Sequence, residues 1–168
     1  MRTFVVVCTI GFLSTMAFQK LRERARPYSV APASVAATAS VPDGAVAGVA
    51  LQAGRNGHFF VNALMDGRAL SMMVDTGASS CAFSEEDAER IGIRVSAGDF
   101  SRVWNTANGT VRVAPIRISV LQVGSITVRD VDAVVIPRGR LSTSLLGMSF
   151  LKRLREFSVS GGTMTLRG

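Results

Sequence analysis

The sequence predicts an all-β domain with one or two short helices, and three observations lead there. Asp66-Gly67 stands between two apolar runs, 57–65 and 68–74, which is the strongest short signal for a β-hairpin. Ala107-Asn108-Gly109 and Gly161-Gly162 separate extended stretches in the same manner. Ile126 to Ile136 alternates loosely between apolar and polar, with an interruption at Asp130, and reads as a half-buried strand pair.

Composition limits what such a domain can be. A chain of 168 residues that is 48% hydrophobic can bury one core, and setting the N-terminal segments aside leaves residues 51–168 for it. The net charge is +7, yet five of the nineteen basic residues fall in the first 26 positions and no basic stretch is interleaved with aromatics. A nucleic-acid partner is therefore not expected. His58 is the only histidine, and Cys8 and Cys81 are the only cysteines. That is too few for a zinc site, a disulfide framework or a His-activated nucleophile, so no metal or cofactor is expected and any catalysis rests on carboxylates.

Taken in order, residues 1–26 read as a membrane anchor or signal sequence. Phe4 to Phe18 is a weakly polar to apolar run, with Arg2 before it and Lys20, Arg22, Arg24 and Arg26 after it. Fifteen residues is short of the roughly 20 that span a bilayer, but Thr15-Met16-Ala17 is a poor cleavage site, which favours an uncleaved signal-anchor. The basic excess on its C-terminal side would, by the positive-inside rule, hold the domain in the cytoplasm. Residues 27–50 are rich in Ala, Val, Ser, Thr and Pro with almost no charge, as suits a flexible tether.

Within the domain, the arm of the first hairpin that starts at Arg68 runs into Asp75-Thr76-Gly77-Ala78. A strand ending in Asp-Thr-Gly can hold a carboxylate on the floor of a cleft, because the glycine lets backbone N–H groups approach it. The same letters also describe an ordinary turn. Ser84 followed by Glu85, Glu86 and Asp87 is a helix start, and Gly92 can close that helix. Arg102 to Thr106 and Thr110 to Val123 flank the second hairpin tip, where Trp104 is either a core anchor or an aromatic lid over a substrate. After a polar loop at 137–144, Leu145-Leu146-Gly147 is a buried strand turning into a short helix, and 157–160 with 163–167 form a last hairpin.

The ordered set of an apolar strand, Asp75-Thr76-Gly77, a capped helix, a hairpin and Leu145-Leu146-Gly147 resembles the retropepsin-like (clan AA) aspartic proteases. The run from Gly57 to Leu166, about two-thirds of the chain, looks most like their bacterial single-domain, membrane-anchored members. The resemblance implies a closed β-barrel that acts as a two-fold homodimer, with Asp75 as the catalytic residue of each subunit. It further implies that Thr76 interlocks with its symmetry mate, that Gly77 meets the substrate backbone above the small Ala78, and that Leu145, Leu146 and Gly147 support Asp75. The hairpin with Trp104, Asn108 and Gly109 matches the flap, and Thr163 to Arg167 would contribute to the dimer interface as terminal strands do in that family. Two positions depart from the retroviral pattern: Ser79 stands where Asp is usual, and Met148 where Arg is usual.

Peptide hydrolysis without a metal or nucleophile needs two carboxylates that share a proton, and this chain carries the motif once. A symmetric homodimer follows. The expected function is an aspartic endopeptidase that cuts an extended segment of a protein substrate. The alternative is a non-catalytic peptide-binding module of the same fold, against which the intact Asp75-Thr76-Gly77 argues, since a pure binder has no need to bury two repelling carboxylates. The resembling bacterial proteins place the domain in the periplasm, on a single-pass anchor in the inner membrane.

Overall fold

The computed structural model describes residues 47–106 and 109–168. The expected anchor at Phe4 to Phe18, most of the tether and the hairpin tip at Asn108 lie outside the described residues. Ten strands and two short α-helices follow one another: β1 (Gly48–Gln52), β2 (Phe60–Met65), β3 (Arg68–Val74), β4 (Cys81–Ser84), α1 (Glu85–Arg90), β5 (Arg102–Thr106), β6 (Gly109–Val123), β7 (Ile126–Ile136), β8 (Leu145–Leu146), α2 (Met148–Leu151), β9 (Glu156–Ser160) and β10 (Thr163–Arg167), with a 3-10 turn at Ala97–Asp99 before β5.

Seven strands form one sheet in the order β2-β3-β8-β4-β7-β6-β5, and β6 also pairs with β2, so that the ladder returns to its start. The closure is made by Ala63, Leu64 and Met65 opposite Val123, Gln122 and Leu121. The expected hairpins are present. Asp66 and Gly67 both take positive φ (47° and 85°), as a two-residue turn between right-twisted strands requires. In β2, Val61, Ala63 and Met65 point inward while Phe60, Asn62 and Leu64 point out, and β3 contributes Leu70, Met72 and Val74 to the same core.

The middle of the sheet is buried on both faces. Along β4, Cys81 and Phe83 enter the main core with Phe150, Leu151 and Leu166, while Ala82 faces the other way into a smaller apolar cluster with Val111, Val113, Val134 and Ile136. Phe83 and Phe150 are fully buried, and truncating either to Ala would cost about 3–5 kcal/mol. The smaller cluster underlies the site described below.

Helix α1 starts as its sequence requires: the Ser84 hydroxyl accepts the Asp87 N–H at 3.1 Å, and three acidic residues occupy the first turn.

Two expectations are corrected. Ile126 to Ile136 is one continuous strand rather than a pair; Asp130 takes a left-handed φ of 52° within it, and the register against β6 is the same on both sides of that residue. The ordered domain does not wait until residue 51, because β1 begins at Gly48 and pairs along its whole length with β10. β10 lies between β1 and β9, so both edges of Thr163–Arg167 are paired within the chain.

Candidate active site

Strand β3 delivers Asp75 to the point where three segments meet. Met73 and Val74 run parallel to Leu145 and Leu146. Directly beyond that ladder the Asp75 N–H donates to the Leu146 carbonyl (3.1 Å), while the Met73 N–H donates to the Ser144 carbonyl (2.9 Å). The loop then doubles back, with the Ala78 N–H donating to the Asp75 carbonyl (3.3 Å) and the Met148 N–H donating to the Ala78 carbonyl (2.8 Å). Asp75 is thus held through its backbone on both sides, its N–H by Leu146 and its carbonyl by Ala78.

Two glycines shape this arrangement, and at Gly147 the residue is required. The Gly77 N–H donates to Asp75 Oδ1 at 2.8 Å, and a Cβ on Gly77 would crowd that same oxygen at 3.2 Å. Gly147 is buried, and a Cβ there would collide with the Ser80 carbonyl and lie 2.9 Å from the Ala78 carbonyl oxygen. The two loops touch backbone to backbone, which only glycine permits. Farther along, the Ser80 hydroxyl donates to the Asp132 carbonyl (2.8 Å) and the Cys81 N–H to Ser149 Oγ (2.9 Å), tying the far end of the loop to β7 and α2. Burial pushes the Cys81 thiol above its usual range, an effect the Ser149 hydrogen bond only partly offsets.

Asp75 is half-buried on the wall of a cleft of about 440 Å³. Gly77, Ala78 and Leu145 line it as well, and so does Trp104, half-buried on β5, which therefore faces the cleft. Leu146 does not line it; its side chain is fully buried in the main core, and its part in the site is the carbonyl that receives the Asp75 N–H. The Thr76 side chain is exposed, and among the described residues its hydroxyl makes no hydrogen bond. Gly109, at the base of the hairpin tip with φ 98°, accepts the Thr106 hydroxyl at 2.7 Å and is not among the cleft residues.

The sequence reading missed Arg140 and Leu141, which line the cleft from the loop between β7 and β8, and Ala82, Val111 and Ile136, which floor it. Local sequence carries no sign of Arg140, since its place depends on β4 and β7 lying parallel, which brings the C-terminal end of β7 to the side where Asp75 emerges. The alternation of Ala82 against Cys81 and Phe83 could have shown a second apolar face, had β4 been recognised as buried on both sides. Among the described residues no three of His, Cys, Asp and Glu cluster as metal ligands.

Residues 61–153 match the family described as the gag-polyprotein putative aspartyl protease. The chain belongs to the retropepsin-like aspartic protease family. Its structure is similar to the crystal structure of a retropepsin-like aspartic protease from Rickettsia conorii, with a TM-score of 0.66 and 32% identity over 73% of this chain and 92% of that one. Two uncharacterized proteins are also similar in sequence. One, from Sinorhizobium sp, is 43% identical over 71% of this chain, and the other, from Rickettsia prowazekii (strain Madrid E), is 35% identical over 66%. The chain spans about half the length of each (51% and 47%).

This retropepsin-like chain departs from the retroviral pattern at Ser79 and Met148, and the fold accommodates both. Ser79 lines the cleft, and the backbone bond from Met148 to Ala78 joins the two segments that those positions occupy.

Proposed function

We propose that the protein is an aspartic endopeptidase that hydrolyses peptide bonds of an extended protein substrate, with Asp75 as the catalytic carboxylate of each subunit in a two-fold homodimer. The observation that carries this reading is Asp75 itself, fixed through its backbone on the wall of the cleft and the only carboxylate lining it among the described residues. One carboxylate cannot both accept a proton from water and donate one to the scissile carbonyl. Two Asp75 residues sharing one proton can.

In that mechanism the ionised carboxylate takes a proton from water as its oxygen bonds to the carbonyl carbon, and the protonated one gives its proton to the carbonyl oxygen. The resulting diol collapses as the amine leaves with a proton from the dyad. Gly77 supports this chemistry by donating to Asp75 Oδ1, which fixes the plane of the carboxylate. The exposed Thr76 and Gly77 beside Asp75 and the unengaged Thr76 hydroxyl support a symmetry-related copy packing on this face. Trp104, which lines the same cleft, would cover the bound peptide, and the hairpin that carries Asn108 and Gly109 would serve as the flap.

The apolar run at Phe4 to Phe18 supports attachment to the inner membrane. The periplasmic side is taken from the resemblance to bacterial relatives, against the basic flank, which by the positive-inside rule favours the cytoplasm. Among the described residues no helix is long and apolar enough to cross a membrane, so the anchor rests on that run. Full-length protein released from membranes by a carbonate wash would remove it.

The deciding experiment is Asp75→Asn. It keeps the side-chain shape but removes the acid-base function from both halves of the site, so peptide cleavage should drop by about 10²- to 10⁴-fold or more while the circular dichroism spectrum stays native. Cleavage close to the native rate would refute the aspartic mechanism.

A further inference from the structure

The loop from Pro137 to Ser144 holds two arginines in opposite circumstances. Arg138 is committed to the fold. Its backbone N–H donates to Glu85 Oε2 at 3.0 Å and its guanidinium is bonded to Glu89, with Glu85 and Glu86 close by on the same helix. Arg140, two residues on, is placed by a turn in which its N–H donates to the Pro137 carbonyl at 3.1 Å. Its guanidinium has no hydrogen bond or ion pair among the described residues, and it lines the same cleft as Asp75 without pairing with it.

Trp104, Val111, Ile136, Leu141 and Leu145 give the cleft an apolar surface, with Ser79, Asn105 and Thr106 as neutral polar members of the lining. Apolar walls keep the local dielectric low, so a lone cation beside them attracts an incoming anion more strongly than it would on open surface. Arg also offers a planar fork of donors that fits a carboxylate with two parallel hydrogen bonds.

We propose that Arg140 is the specificity-determining residue of this cleft, binding the side-chain carboxylate of an Asp or Glu in a peptide whose neighbouring residues are apolar. The proposal rests on the reading of the cleft as a peptide site. The substrate class is then an extended segment in which one acidic residue lies close to the apolar residues of the cut. The charge on Arg140 stays available for this because the acidic residues of α1 are taken up elsewhere, Glu85, Glu86 and Glu89 by Arg138 and Asp87 by Arg90.

The test uses the full chain and peptides blocked by acetyl and amide groups, each apolar at the centre, with Glu or Gln placed at every position in turn. At one position the native protein should show a kcat/KM roughly five- to tenfold higher for Glu than for Gln, mostly through KM, and the ratio should shrink as salt is raised. In Arg140→Ala that ratio should fall to near one, and in Arg140→Glu it should invert with Lys preferred. A native ratio near one at every position, or a preference that persists in Arg140→Ala, would overturn the proposal.

Binding separates this from the catalytic reading. Trp104 is the only tryptophan of the chain and lines the cleft, so its fluorescence reports occupancy in Asp75→Asn whether or not the native protein cleaves. Tighter binding of the Glu peptide by that variant supports the proposal even if cleavage is absent. Equal affinities, or no binding by any peptide, overturn it. So does stronger binding of an unblocked Gln peptide than of the blocked Glu peptide, which would assign Arg140 to a chain-terminal carboxylate.

Discussion

The Ser144 hydroxyl donates to Asp87 Oδ2 at 2.6 Å while its oxygen accepts the Ser84 N–H at 3.2 Å, joining the end of the cleft loop to the first turn of helix α1. Ser144 is fully buried, and its carbonyl also receives the Met73 N–H two residues before Asp75. Ser144→Ala should leave the buried Ser84 N–H unpaired and cost about 1–3 kcal/mol. The urea midpoint should fall without a change in m-value. An unchanged midpoint would mean that water replaces the hydroxyl.

Gly147→Ala should destabilise far more than its one methyl group suggests. The added Cβ would meet the Ser80 backbone, which cannot rotate away as a side chain could. A cost of about 1–3 kcal/mol or more is expected, with peptide cleavage lost alongside as the Asp75 loop is displaced. Gly67→Ala is the control: its φ is 85° but no atom lies within 4 Å of a Cβ there, so only the left-handed backbone cost of about 1–2 kcal/mol should appear, with the site intact.

A dimer that shares its dyad has a signature that no monomer can imitate. The specific activity of the full chain should fall on dilution in step with the dimer fraction seen by sedimentation. Mixed dimers of one native and one Asp75→Asn subunit should be nearly as inactive as the pure variant. Half the native activity in the mixed species would show that each Asp75 works alone. A fragment starting at Gly57 is unsuitable for these measurements, because it lacks β1 and strips one edge of β10.

Stability should depend on acid in a direction set by Arg138 and by Ser96. The hydrogen bond from Arg138 holds the Glu89 carboxyl below its usual range, and the Ser96 backbone N–H, then its hydroxyl, do the same for Asp99. Both groups bind protons more weakly folded than unfolded. Their stabilisation is therefore complete above the unfolded carboxylate range of about 4, and is lost as the pH falls through the lower folded values. Urea midpoints measured against pH should fall on acidification, and Glu89→Gln should flatten part of that fall. A midpoint independent of pH below 4 would contradict the assignment.

Much of the site was readable before the fold because its signals are local. Asp66-Gly67 and Gly161-Gly162 encode their own turns, Ser84 encodes its cap, and Asp75-Thr76-Gly77 with Leu145-Leu146-Gly147 names the two loops that meet. What could not be read is carried by pairing between distant segments. Strand β1 is short, contributes only Val49 and Leu51 to the core, and is defined by β10 more than a hundred residues later, so alone it looks like tether. Arg140 looks like any polar loop residue until the parallel pairing of β4 with β7 turns its loop towards Asp75. The filled edges of β10 are likewise invisible in Thr163 to Arg167, whose alternation would suit an edge or a central strand equally.

The pairing of β1 with β10 sets Gly48 opposite Arg167, and the Gly168 N–H donates to the Ala47 carbonyl at 2.8 Å. The order in which the chain visits its strands is thus separable from the architecture it builds. A short Gly-Ser bridge from Gly168 to Ala47 in a domain without residues 1–46, with new termini cut at the Asp66-Gly67 turn, should give a circular permutant with the same sheet, since joining two points already in contact adds almost no loop entropy. It would exchange one short-range hairpin, β2 with β3, for a pairing between the new ends. Because local hairpins speed folding and long-range closures slow it, the permutant should reach the same structure by a slower route.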